Sequence, residues 1–126
     1  MSLQTPLNRV RGLGSAKEGT DHFFRQRLTA VANVPLVLFL VWTLLTTFGA
    51  PYEEVRATLA SPLTAIALAL LAISAAIHMR LGMQVIIEDY VSAEGPKLGL
   101  LVLNTFFAIL IAAVSLFAIL KLSLGG

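Results

Sequence analysis

Four residues in the stretch "HMRLGMQVIIEDYV", residues 78–91, carry side chains or a backbone opening that could serve chemistry. His78 presents an imidazole, the commonest metal ligand and a usual axial ligand of haem iron. Asp89 offers a carboxylate that can orient an arginine or relay a proton. Tyr90 offers a phenol that can donate a hydrogen bond to a quinone carbonyl. Gly82 stands one helical turn after His78 and removes the side chain directly beneath it, leaving room for something large and flat.

The elements that hold these residues belong in a membrane. The chain has 126 residues, of which 57% are hydrophobic and 13% charged. A soluble domain of this size is about half apolar and about a quarter charged. Cysteine is absent, so this chain alone cannot form a disulfide, a zinc–cysteine site or an iron–sulfur cluster. The sequence pI of 9.4 reflects a small basic excess, and the bilayer accounts for its distribution better than nucleic acid does. Residues 28–52, 57–79 and 98–120 are free of Asp, Glu, Lys and Arg. Each window meets the roughly 20 apolar residues needed to cross a bilayer core. The expected fold is an all-α membrane protein with three transmembrane helices, spanning about 28–49, 62–90 and 98–121, preceded by an N-terminal arm over residues 1–27. The arm lacks the apolar stretch of a signal peptide. Pro35 interrupts the first helix, Ser61 and Pro62 start the second, and Gly95 and Pro96 break the chain before the third.

Arginine and lysine set the orientation. Arg9, Arg11, Lys17, Arg25, Arg27, Arg80 and Lys97 fall on one side, Arg56 and Lys121 on the other. This places the N-terminus in the cytoplasm and the C-terminus outside. The second helix has two readings, one ending near Met79 and one running to Tyr90. The apolar "LGMQVII" after Arg80 favours the long one, about 43 Å at 1.5 Å per residue. At about 100° per residue, Ser74, His78 and Gly82 form one stripe with Asp89 further along it, and Arg80 lies about 200° away.

Each residue also has a structural reading. His78 could hydrogen-bond a neighbouring helix. Asp89 and Tyr90 could be a helix end at the headgroups, and Arg25, Arg27 and Arg80 could snorkel to phosphates. Asn33, Asn104, Thr105 and Ser115 read as interhelical hydrogen bonds, Trp42 and Tyr52 as interfacial anchors. The only other histidine, His22, precedes the first span. A haem held between two histidines would therefore need its second from another chain.

The His-x-x-x-Gly-x(6)-Asp-Tyr-Val pattern late in the second of three helices resembles the hydrophobic membrane anchor subunits of succinate dehydrogenase, respiratory complex II. The upstream "GSAKEGTDHFFRQRLTAVANVPL" is similar to the arm and first-helix start of the alpha-proteobacterial and mitochondrial-type anchors. The resemblance covers nearly the whole chain. It implies half of a heterodimeric haem-binding bundle, paired with a cytochrome b membrane subunit, that anchors an iron–sulfur subunit and a flavoprotein subunit to a bacterial inner membrane. It assigns His78 as an axial ligand of a shared haem b, Asp89 and Tyr90 to the ubiquinone site, and Arg27, with His22, to the haem propionates. "DHFF" does not align cleanly at His22, and Glu88 stands where some relatives have threonine. Two alternatives remain at this point: a fumarate reductase-type anchor working with menaquinone, and a non-redox assembly or transport subunit.

Overall fold

The computed structural model describes residues 18–125. Residues 1–17 of the expected arm, with Arg9, Arg11 and Lys17, lie outside the described residues. Four helices follow in order: α1 (Glu18–Thr46), α2 (Tyr52–Ala60), α3 (Pro62–Tyr90) and α4 (Glu94–Ser123). Three of them, α1, α3 and α4, are long and apolar enough to cross a membrane. This is an all-α, multi-pass membrane protein.

Local chemistry fixes the boundaries. Helix α1 begins at Glu18, inside the segment expected to be an arm, and continues through Pro35 without interruption. Its polar first turns carry an i,i+4 ion pair between Arg25 Nε and Asp21 at 2.9 Å, a spacing that supports a helix even where no apolar face does. The helix ends in a turn at Gly49, whose φ of 77° is left-handed and costs glycine nothing. Ser61 is the N-cap of α3 and Pro62 its first residue, but the Ser61 hydroxyl lies 2.8 Å from the Thr58 carbonyl rather than capping a backbone N–H. Helix α4 starts at Glu94, four residues before the expected span. Pro96 therefore sits in its first turn. No bond is lost there, because the first N–H groups of a helix have no intrahelical acceptor.

Helix α3 is the middle of the molecule. It packs against α1 and against α4, while α1 and α4 make no contact with each other among the described residues; the short α2 packs against both α3 and α4. The two long contacts use opposite faces of α3. Ser74 and His78 reach α1, whereas Arg80 reaches α4. The three spans therefore stand in a row, with broad apolar flanks open on either side. Trp42, Phe106 and Phe117 are each about two-thirds exposed. In lipid such side chains face an apolar solvent, and the helices need only satisfy their own backbone bonds.

What holds the row together is close approach rather than a large core. Ala76 of α3 and Ala108 of α4 are buried to 6% and 4% exposure, the small-residue contact typical of membrane helices. Beside them, Asn104 Nδ2 donates to the Arg80 carbonyl at 2.9 Å. Arg80 Nε in turn donates to Thr105 Oγ1 at 3.2 Å. Placing leucine at Ala108 would wedge the seam open. Ala108→Leu is expected to destabilise the protein by about 1–3 kcal/mol, read as a lower thermal midpoint in detergent, with Ala118→Leu, on an exposed position of the same helix, as the neutral comparison.

Candidate functional site

Helix α3 carries the candidate residues at two depths. His78 lies about 18 Å from Tyr90 along the helix at 1.5 Å per residue, so it stands well inside the span while Asp89 and Tyr90 stand at its end. The His78 ring is half-buried. Its Nδ1 is 3.2 Å from Thr29 Oγ1 of α1. One turn earlier, Ser74 Oγ donates to the Thr29 carbonyl at 3.4 Å. Arg80 points the other way, into the α3–α4 seam, as the angular spacing predicts. It lines a groove of about 220 Å³ with Ala76, Thr105, Ala108 and Ala112, and this takes its charge away from the His78 face.

The side of α1 that meets α3 is a polar stripe. His22, Gln26, Thr29 and Asn33 recur at spacings of four, three and four, which at about 100° per residue is a single face. Of these, Thr29 is bonded across to α3, while His22 Nε2, Gln26 Oε1 and Asn33 Oδ1 are buried with no hydrogen-bond partner among the described residues. Asn33 thus does not make the interhelical bond expected of it. Ser115 likewise makes no hydrogen bond among the described residues, whereas Asn104 and Thr105 do. Gly82 faces α1. A Cβ there would meet Gln26 Nε2 of α1 at 3.5 Å, an ordinary van der Waals contact.

Arg27 points away from this stripe. Its guanidinium lies over the Phe23 ring, 5.0 Å from the centroid, and the residue is exposed. At the helix end, Asp89 is exposed and Tyr90 is 85% exposed. Neither makes a hydrogen bond or ion pair among the described residues. Their neighbour Glu88 is engaged instead: its carboxylate accepts from Gln84 Nε2 at 2.8 Å and its carbonyl from Lys97 Nζ at 3.4 Å. One turn deeper, Ile87, Met83 and Met79 line an apolar groove of about 470 Å³ with Leu100, Leu103 and Phe107 of α4.

No cluster of three or more potential metal ligands exists among the described residues. Within the span the chain offers one histidine, with one ring nitrogen bonded and the other without a protein partner among the described residues. That donor set suits one side of an iron shared with another chain. It does not suit a metal centre enclosed by this chain alone.

Residues 1–119 match the family model described as succinate dehydrogenase/fumarate reductase transmembrane subunit. The chain belongs to this family. It is 33% identical over 102 residues to the succinate dehydrogenase hydrophobic membrane anchor subunit of Rickettsia bellii (strain RML369-C), covering 81% of this chain and 82% of the relative. The anchor subunit of the same name from Paracoccus denitrificans is 28% identical over 121 residues, or 96% of this chain and 93% of that one. That from Rickettsia conorii is 30% identical over 105 residues, covering 80% and 81%. Membership of the succinate dehydrogenase/fumarate reductase family makes this chain a membrane-embedded subunit of an enzyme complex that is not catalytic by itself, and it removes the assembly or transport alternative.

Of the residues the site uses, sequence reasoning missed Thr29 and Gln26. The available signal was the four–three–four spacing of polar residues in an otherwise apolar helix, which marks a face in contact with protein rather than lipid.

Proposed function

We propose that this chain is the hydrophobic membrane anchor of a succinate:ubiquinone oxidoreductase, giving one axial ligand to a b-type haem and part of the ubiquinone reduction site. The observation that supports the haem part is His78: a half-buried imidazole mid-span, tied through Nδ1 to Thr29 of the neighbouring helix. In a membrane helix such a residue is a functional group by default, because burying it without a task is costly. The other ligand would be supplied by a cytochrome b subunit. His22, two turns up α1 from Thr29, is about 10 Å away along that helix and cannot serve from the same depth. When bound, the haem supplies reversible one-electron redox chemistry.

This chain does no redox chemistry with its own side chains. His78 would hold the haem iron. The apolar flanks of α1, α3 and α4 fix the soluble flavoprotein and iron–sulfur subunits to the bilayer. Succinate is oxidised in the flavoprotein, and electrons pass through the iron–sulfur subunit to the membrane edge. There Tyr90 donates a hydrogen bond to a quinone carbonyl, and Asp89 orients a basic group or passes on a proton from the aqueous side. The open ends of both side chains, with no partner within the described residues, leave them available for this. His22 and Arg27 stand near the start of α1 for the haem propionates; Arg27 reaches them by leaving Phe23. The bias of basic residues supports a cytoplasmic N-terminus and a periplasmic C-terminus in a bacterial inner membrane.

The test is mild-detergent purification of the tagged chain with its native partners. The expected result is co-purification of a flavoprotein, an iron–sulfur protein and a second membrane subunit, a dithionite-reduced b-type α-band, and succinate-driven reduction of a ubiquinone analogue. Co-purification with no haem band would refute the ligand role of His78 while leaving the anchor role standing. Reduction of a menaquinone analogue with no activity towards ubiquinone would favour the fumarate reductase type.

A further inference from the structure

We propose that Thr29 is a positioning residue for His78: its hydroxyl oxygen accepts the imidazole Nδ1–H and so selects the tautomer whose Nε2 lone pair is free for iron. This rests on the haem reading of His78 given above.

The argument is a count of hydrogens. Thr29 is buried, at 9% exposure. Its Oγ1 lies 2.8 Å from the Arg25 carbonyl, 3.1 Å from the Gln26 carbonyl and 3.2 Å from His78 Nδ1. Both carbonyl oxygens can only accept. Two of them this close to a third oxygen repel it unless a hydrogen lies between, and the hydroxyl has one hydrogen to give. That hydrogen is therefore spent within α1. The oxygen meets His78 with a lone pair, and the hydrogen in the Thr29–His78 bond belongs to the imidazole. Nε2 is then the unprotonated nitrogen.

Thr29 suits the task in two further ways. A β-branched side chain held by a back-bond to its own helix has little freedom at χ1, so the acceptor is fixed in place. Ser74 also donates to the Thr29 carbonyl at 3.4 Å, tying the two helices at the same level. Partners of this kind orient a metal-binding histidine and raise its basicity. A more basic imidazole stabilises ferric over ferrous iron, so the Thr29 bond lowers the midpoint potential.

Helix α1 supplies its own control. Thr43 is buried to 4% exposure and makes the same type of back-bond, Oγ1 to the Phe39 carbonyl at 2.9 Å, but no hydrogen bond to another spanning helix is formed by its hydroxyl among the described residues. The experiment compares Thr29→Val, Thr29→Ser and Thr43→Val in the intact complex by redox titration of the haem band and by low-spin EPR. Thr29→Val should raise the midpoint potential, shift the EPR signal and lower haem affinity by about 10–100-fold. Thr29→Ser, which keeps the hydroxyl, should restore all three, and Thr43→Val should leave all three as in the wild type. If the valine complex does not assemble, Thr29→Ala carries the same expectation. The proposal is overturned if hydroxyl-free variants keep the wild-type potential and EPR signal, if Thr43→Val shifts them equally, or if neither hydroxyl-free variant assembles. A wild-type complex whose haem band is indifferent to His78→Ala would instead overturn the haem reading itself.

Discussion

Replacing His78 by alanine is expected to remove the b-type haem from the complex, with haem per flavin falling by well over tenfold. Loss of an outer partner of a metal ligand costs about 10–100-fold in affinity, and loss of the ligand itself costs more. The chain's only other histidine stands at a different depth. His22 is about 10 Å further along α1, and no group of three or more potential ligands exists among the described residues. The fold should tolerate the change, because His78 makes a single cross-helix hydrogen bond, a bond worth about 0.6 kcal/mol on average in membrane proteins. The readout is the dithionite-reduced spectrum normalised to flavin, with succinate oxidation by a soluble dye as the check that the other subunits are intact. Persistence of the α-band at wild-type intensity would mean that another residue ligates the iron. A second outcome bears on the electron path: if the haem-free complex still reduced ubiquinone at the wild-type rate, His78 would serve a side branch rather than an obligatory relay.

Helical geometry made the facing of these residues legible in the sequence. Spacings of about 100° per residue put His78 and Arg80 on different faces, and the structure sends one to α1 and the other to α4. Asn104 and Thr105 also read correctly, since polar side chains in an apolar helix find partners across a seam. What stayed hidden depends on the facing helix. Nothing along α3 says what faces Gly82, and the neighbour is Gln26, far away in the chain. Thr29 looks like any helix threonine bonding its own backbone, and only packing reveals that its spare lone pair meets an imidazole. Asn33 shows the converse: the residue type announces a hydrogen bond, but whether a donor stands opposite is decided by tertiary contact. The second span runs Pro62–Tyr90 as expected, and the starts of the other two differ for a simpler reason. Charge-free windows locate the lipid-facing length of a helix and not its full extent, so α1 and α4 each begin well before the apolar stretch does, at Glu18 and Glu94.

Tyr90→Phe is expected to lower ubiquinone reduction by about 10²-fold, the lower end of what a positioned proton donor contributes, while succinate oxidation by a soluble dye stays unchanged. The substitution is unusually clean. Tyr90 is 85% exposed at the last residue of α3, and its hydroxyl has no partner among the described residues, so deleting one oxygen should alter stability by no more than about 0.5 kcal/mol. Any loss of quinone activity is then a loss at the quinone. The competing role, an aromatic anchor at the headgroups, makes the opposite forecast, because phenylalanine would still bury its ring at the interface and turnover would hardly change. Asp89→Asn separates the two functions further. It keeps the shape and the acceptor oxygen but cannot ionise, so it should slow turnover more than it weakens binding of a quinone-site inhibitor, whereas Tyr90→Phe should weaken both. An Asp89→Asn complex with normal turnover would remove the carboxylate from the proton route and leave Tyr90 as the sole contribution of this chain to the quinone.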